Sequence, residues 1–131
     1  MPSRLRVFSA AIAVVLILVS CGGGGGGDDE VRYREPRGPA EATISIGAGN
    51  FYFRPDQVDA APGITEIELV GQGGLHDFVF DDGEYPGYFL EVAGSSETDS
   101  LKIDLKPGRF VFYCNLPGHR QQGMEGTLTV R

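Results

Sequence analysis

Four short segments between Thr43 and Val130 alternate strictly between polar and apolar residues, and this alternation restricts the fold more than any other feature of the chain. The segments are Thr43–Ile46, Glu66–Leu69, Leu101–Leu105 and Thr127–Val130. Alternation with period two places one face of a strand in a core and the other face in water. Turn-forming Pro and Gly residues separate the segments. The pattern predicts an all-β fold, an antiparallel Greek-key β-sandwich of about seven to eight short strands.

The first twenty residues have the features of a targeting signal rather than of a β-sandwich. Arg4 and Arg6 precede the uncharged run Val7–Val19. That run is too short for a hydrocarbon core of about 30 Å but suits the apolar part of a secretory signal. The residues up to Cys21 resemble a lipoprotein signal, in which the cysteine is lipidated and becomes the new N-terminus. An uncleaved anchor helix and an ordinary signal with an incidental cysteine are the alternatives.

The segment after Cys21 has the composition of a flexible tether. The six glycines Gly22–Gly27 are followed by three acidic residues, and Pro36 and Pro39 interrupt any helix. We therefore divide the chain into a signal peptide (1–20), a lipidated cysteine with its tether (21–39) and one folded domain (40–131). This organisation predicts a monomer held in the cell envelope by a lipid anchor, facing the periplasm or the cell exterior.

The charge balance excludes one large class of partner. The chain contains 11 basic and 18 acidic residues, and its formal net charge is −7. Nucleic-acid binding requires a basic surface, so the sequence predicts no nucleic-acid partner. The acidic balance favours solubility and could steer a basic redox partner such as a cytochrome.

The chemistry is concentrated in one C-terminal motif, in which four residues separate Cys114 from His119 and four more separate His119 from Met124. The other histidine of the chain is His76, at the start of an apolar run. Two imidazoles, one thiolate and one thioether form the ligand set of a blue copper site, a trigonal His-His-Cys plane with a weak axial Met. We therefore predict that one copper ion is bound by His76, Cys114, His119 and Met124.

Three other readings of the motif remain open at this point. Cys114 could form a disulfide bond with Cys21, the second cysteine of the chain. Cys114 and His119 could instead be a nucleophile and its base, although no third orienting residue is apparent. Zinc is the third alternative, but zinc rarely takes a thioether and structural zinc sites prefer more thiolates.

The sequence from Ala42 to Arg131 resembles the cupredoxins, in the plastocyanin–azurin–auracyanin group. The C-terminal spacing is similar to that of auracyanin and rusticyanin, and the segments Gly49–Pro55 and Ala60–Gly63 resemble the first strands of small bacterial plastocyanin-like proteins. The resemblance implies the same four copper ligands, and it matches Tyr113 to the tyrosine that precedes the copper cysteine. Many members have Asn directly after the first ligand histidine, where it pins the cysteine loop. Asp77 stands there in this chain and cannot donate an amide N–H.

Taken together, these features predict a single-electron carrier rather than an enzyme. Copper enzymes of related architecture carry additional histidines for a second copper centre, and both histidines of this chain are assigned to one site. The loop Leu116–Gly118 beside His119 is predicted to dock redox partners, such as cytochromes or oxidases, transiently. A copper-binding or copper-delivery lipoprotein is the alternative, although delivery proteins favour Met-rich or His-rich surfaces.

Overall fold

The computed structural model describes residues 31–81 and 83–131, and these form nine β-strands and one short 3-10 helix. The strands are β1 (Ala42–Gly49), β2 (Tyr52–Arg54), β3 (Gln57–Ala60), β4 (Gly63–Gly71), β5 (His76–Phe80), β6 (Leu90–Val92), β7 (Thr98–Leu105), β8 (Gly108–Tyr113) and β9 (Glu125–Val130). The 3-10 helix, Arg120–Gln122, lies between β8 and β9. The all-β class is confirmed, with one or two more strands than the sequence predicts.

The strands form two sheets, one of four strands in the order β2-β1-β4-β7 and one of five in the order β3-β9-β8-β5-β6. The sandwich is mixed rather than purely antiparallel, because β1 pairs in parallel with β4 and β3 pairs in parallel with β9. Alternation within a strand fixes which face is buried but carries no information on the direction of the neighbouring strand. This is why the sequence predicted the sandwich but missed its two parallel pairs.

The predicted alternation appears directly in the burial of β4. Thr65, Ile67 and Leu69 are buried, whereas Glu66 and Glu68 between them are partly exposed on the outer face. The apolar residues of both sheets meet in one continuous core. At its centre Phe78 of β5 stacks on Phe112 of β8, with ring centroids 4.7 Å apart. This aromatic core is the rigid base on which the ends of β5 and β8 are held.

The end of the predicted tether is packed against the domain, which corrects the expectation of a flexible segment up to residue 39. Tyr33 lies edge-on against Tyr88 with ring centroids 4.9 Å apart. The carboxylate of Glu35 accepts the N–H of Lys102 in β7 at 3.0 Å, and the Nζ of Lys102 donates to the carbonyl of Gly38 at 2.8 Å. Residues 33–38 therefore cover part of the edge of the four-stranded sheet, where β7 would otherwise expose unpaired backbone groups.

The predicted signal and anchor fall on residues 1–30, including Cys21, and lie outside the described residues. Among the residues that the structure describes, none belongs to a helix with the length and apolar character needed to cross a membrane.

Candidate metal centre

Three of the predicted ligands meet at one end of the sandwich. His76 is the first residue of β5, Cys114 directly follows β8, and His119 precedes the 3-10 helix. Their ligand atoms all lie within 4.8 Å of one another. His76 and Cys114 are fully buried, whereas His119 is partly exposed. The sheets bring together two histidines that are distant in sequence, as the predicted site requires.

His76 is held in the tautomer that a metal ligand needs. Its Nε2 atom lies 2.9 Å from the carbonyl oxygen of Gly73 and donates its N–H to that oxygen. Its Nδ1 atom therefore carries the lone pair, and this buried atom has no hydrogen-bond partner in the part of the chain that the structure describes. Burial also lowers the pKa of His76 below its usual 6.5, which keeps the ring neutral. A neutral imidazole oriented by a carbonyl through its other nitrogen is the common arrangement of a metal-ligating histidine.

His119 completes the cluster from the loop between β8 and β9. Its Nδ1 atom lies 3.4 Å from the sulfur of Cys114. The ring of Phe51 packs edge-on against the His119 ring, with centroids 4.9 Å apart, and fixes the orientation of the imidazole. This places a nitrogen and a sulfur ligand side by side without any rearrangement of the chain.

The sulfur of Cys114 is in a buried but partly compensated environment. Burial raises the pKa of the Cys114 thiol, while the backbone N–H groups of Asp77 and Leu116 hydrogen-bond to the sulfur and lower it. A thiol in such a site binds a metal as the thiolate, because the positive charge of the cation stabilises the negative sulfur in place of the proton. The two N–H groups then stabilise the thiolate that remains after the proton has left.

Met124 is fully buried beside this cluster. Its carbonyl oxygen accepts the N–H of Cys114 at 3.1 Å, and its own N–H donates to the carbonyl of His119 at 3.1 Å. The backbone of Met124 is thus tied to both ligand residues of the loop.

Asp77 keeps the loop in place in a different way from the expected amide. Its carboxylate accepts the backbone N–H of Asn115, which follows Cys114. The sequence indicated correctly that Asp77 cannot donate as Asn would, but an acceptor suffices because the loop presents an N–H at this point. The side chain is 5% exposed, so this contact lies inside the protein.

Two contributors to the site were missed or misread from the sequence. Phe51 belongs to the segment Gly49–Pro55, which resembles the first strands of plastocyanin-like proteins, but it lies in the turn between β1 and β2, with 36% of its surface exposed, against His119. The carbonyl of Gly73 belongs to the glycine-rich segment before β5, which was read only as a turn. Neither role was accessible from local pattern, because each depends on a contact with a ligand that is distant in sequence or formed by a backbone atom.

The donor set suits copper better than zinc. Copper in either oxidation state accepts a soft thiolate together with imidazole nitrogens. Structural zinc sites prefer four protein ligands with more thiolates. The orphaned Nδ1 of His76, the sulfur of Cys114 and the adjacent Nδ1 of His119 are the groups that a copper ion would satisfy.

Sequence comparison gives the same result. The family model of the copper-binding proteins of the plastocyanin/azurin family matches residues 40–131. Plastocyanin of Scenedesmus fuscus is 30% identical over 103 residues, which cover 70% of this chain and 100% of that protein. Chloroplastic plastocyanin of Pisum sativum is 30% identical over 102 residues, 69% of this chain, and the match spans 58% of the pea protein's length.

Structural comparison identifies the same fold. The solved structure of auracyanin B superposes with a TM-score of 0.60 at 19% sequence identity, covering 76% of this chain and 96% of that chain. At this identity the similarity establishes the β-sandwich architecture. Together with the family match and the cluster of His76, Cys114 and His119, it shows that the chain belongs to the plastocyanin/azurin family of copper-binding proteins, the cupredoxins.

Proposed function

We propose that this protein is a single-electron carrier with one type 1 copper ion, which His76, Cys114, His119 and Met124 would hold. The observation that supports it best is the cluster of two imidazoles and a thiol, with His76 and Cys114 buried, around an unsatisfied Nδ1 atom. Met124 is proposed as the axial ligand because it is fully buried and its backbone is bonded to both loop ligands.

Bound copper would supply the one-electron couple, and the chain would hold the ligands in one geometry for both oxidation states. His76 is fixed by Gly73, His119 by Phe51 and the cysteine loop by Asp77. Burial of His76 and Cys114 excludes water from that side of the site. A site that is already assembled and dry needs little reorganisation when its charge changes, which favours rapid electron transfer.

The partly exposed edge of His119 is the proposed exit for the electron. Around it lie the exposed ring of Phe51 and the loop residues Leu116 and Pro117, while the exposed Leu75 directly precedes His76. An apolar surface of this kind suits a transient complex with a redox protein such as a cytochrome or an oxidase. The net charge of −7 would favour a basic partner.

We further propose that the domain works at a membrane surface in the cell envelope, attached through a lipid on Cys21. The support is the sequence before and after Cys21, a short apolar run followed by six glycines. One acyl chain anchors a protein only marginally, so stable attachment would require several chains. Labelling with a fatty acid should mark the wild type and not Cys21→Ala; equal labelling of both proteins would refute the anchor.

The copper site is tested by adding Cu(II) to the purified protein and recording its visible spectrum. An intense thiolate-to-copper band should appear in the wild type and be lost in Cys114→Ser. Gln121→Ala is the matched control, an exposed residue of the same loop that should leave the band unchanged. A Cys114→Ser protein that keeps the full absorbance would show that the sulfur is not a ligand.

Electron transfer is tested separately from copper binding. The copper-loaded protein should give a reversible one-electron wave by voltammetry and should exchange electrons rapidly with a basic cytochrome. A copper-delivery protein would instead lose its copper to an apo-acceptor protein without a redox change. Rapid copper transfer combined with slow electron exchange would favour delivery and contradict the carrier.

A further inference from the structure

Arg120, which directly follows the ligand His119, engages all three nitrogens and one face of its guanidinium group within the protein. Its Nη1 and Nη2 atoms donate to the two carboxylate oxygens of Asp81 at 3.1 and 2.7 Å. Its Nε donates to the carboxylate of Glu125 at 2.7 Å, and its Cζ lies 4.1 Å above the centre of the Tyr113 ring. This combination of a fork, a third hydrogen bond and a stacked face is available to Arg but not to Lys.

Two of these partners are adjacent in sequence to the ligand loop, and the third lies at the end of β5 away from His76. Tyr113 precedes Cys114, Glu125 follows Met124, and Asp81 follows the last residue of β5, the strand that begins with His76. One side chain therefore joins the ends of the three neighbouring strands β5, β8 and β9. Asp81 is itself fixed to the sheet, since its N–H donates to the carbonyl of Val111 at 3.0 Å.

We propose that Arg120 is a positioning residue for the copper site, which fixes the ligand loop Cys114–Met124 on the sheet through Asp81, Glu125 and Tyr113. The backbone hydrogen bonds that the structure shows for His119 stay within the loop: its N–H donates to the carbonyl of Leu116, and its carbonyl accepts the N–H groups of Gln122 and Met124. Arg120 is adjacent to His119, so anchoring its side chain fixes the backbone from which the imidazole projects. The inference rests on the copper site of the proposed function.

The partial exposure of the network determines which property it controls. The Arg120 side chain is 35% exposed and those of Asp81 and Glu125 are 43% and 45% exposed. Exposed ion pairs contribute little to global stability, although a bidentate pair within a network is the favourable case. The hydrogen bond from Arg120 also holds the pKa of Asp81 below its usual value. We therefore expect a local effect on the loop and the metal, with a small effect on the unfolding temperature.

The test compares Arg120→Gln, Arg120→Lys and the control Arg109→Gln, which removes an exposed arginine at the other end of β8. In the metal-free proteins, hydrogen exchange is measured at the amides of Cys114 and Met124. In the copper-loaded proteins, the rate of copper release to excess chelator is measured together with the visible and electron paramagnetic resonance spectra. Both Arg120 variants should exchange these amides faster and release copper about tenfold faster, the usual scale for a residue that supports a ligand.

The Lys variant separates position from charge. If Arg120 acted only through its positive charge, Arg120→Lys would behave like the wild type, and this result would overturn the proposal. Wild-type exchange and copper release in Arg120→Gln would overturn it as well. A wild-type protein that fails to bind copper would refute the proposed function instead, and the metal-free exchange measurement would still show whether Arg120 holds the loop.

Discussion

The carboxylate of Asp77 accepts the backbone N–H of Asn115 at the point where β5 and β8 separate. The two strands pair through Val79 with Tyr113 and Phe80 with Phe112. Continuing this register would place Asp77 opposite Asn115. The side chain thus takes the place of a backbone acceptor, and the strands can part to make room for the sulfur of Cys114 without leaving the loop N–H unpaired.

Substitution of Asp77 should separate its structural role from its charge. Asp77→Asn keeps an oxygen acceptor but removes a negative charge beside the metal, so the reduction potential should rise because a nearby carboxylate favours Cu(II). A change of about 1 kcal/mol corresponds to ~40 mV in a one-electron couple. Voltammetry at pH 7 measures this shift. Glu68→Gln, which removes a charge from the outer face of the other sheet, should leave the potential nearly unchanged.

Asp77→Ala should in addition destabilise the metal-free protein. Without the carboxylate, the N–H of Asn115 has no acceptor at this position, and the loss of a hydrogen bond to a charged group costs about 1.5 to 3 kcal/mol. Urea unfolding of the metal-free variants measures the difference. Equal stability of Asp77→Ala and Asp77→Asn would mean that the contact does not hold the loop.

Replacement of Met124 tests the proposed axial ligand. Met124→Leu removes the thioether but nearly conserves the volume of a fully buried side chain, so the fold should lose less than about 1.5 kcal/mol. The variant should keep copper and its intense colour, while the potential should rise because a weak donor to Cu(II) is lost. The expected shift is of the order of 1 to 2 kcal/mol, or ~40–80 mV. An unchanged potential, or complete loss of copper, would remove Met124 from the axial role.

The ligand motif was readable from the sequence because its chemistry is local. Cys114, His119 and Met124 lie on one loop, so their spacing alone brings them close together. His76 was assigned because a fourth ligand was needed and one histidine remained, and the structure places its ring beside that of His119, with centroids 5.2 Å apart. Because the chain has only two histidines, the pairing of His76 with the distant loop could be predicted, whereas a contact of a common residue type could not.

Contacts made by common residues were not readable in the same way. Phe51 and Phe53 are two residues apart, so strand alternation predicts the same face for both side chains. Phe53 is buried, however, and Phe51 lies on His119, because the turn after β1 sets the direction of the Phe51 side chain. The polar segment 33–38 has the composition of a tether, yet it packs on β7 through Glu35 and Gly38. A polar composition indicates that the segment cannot form an apolar core of its own. It does not reveal that β7 offers hydrogen-bond donors to Glu35 and Gly38.

A glycine provides a test of this packed segment. Gly87 has a φ of 76°, and a Cβ added there would lie 2.2 Å from the carbonyl oxygen of Val31 and 2.8 Å from the nitrogen of Tyr33. Both contacts are with backbone atoms, so Gly87→Ala should displace the segment, and trypsin should then cleave after Arg32 and Arg34 several-fold faster. Gly83→Ala is the matched control, because its φ is 68° but its added Cβ would meet nothing within 4 Å. Equal cleavage rates in the two variants would contradict the docked arrangement.

The same docking should appear in the titration of Tyr33. Burial against the domain, followed by the charges of Tyr85 and Glu35, raises the pKa of Tyr33 from 10.0 to about 12. Below pH 10 the phenol is protonated whether the segment is docked or detached, so the free energy of docking does not depend on pH through this group. Between pH 10 and 12 the detached segment loses its proton first, and docking weakens as the pH rises.

Nuclear magnetic resonance of the ring carbon that bears the phenol oxygen measures this ionisation directly. In the wild type and in Gly83→Ala, Tyr33 should titrate near pH 12, whereas in Gly87→Ala its pKa should return toward 10.0. Tyr33→Phe identifies the signal, because that variant lacks it. In Tyr33→Phe, docking of the segment should also weaken less between pH 10 and 12, since phenylalanine has no proton to lose. A wild-type Tyr33 that titrates near pH 10 would show that the segment is not held against Tyr88 in solution, and the tether would then extend to residue 39.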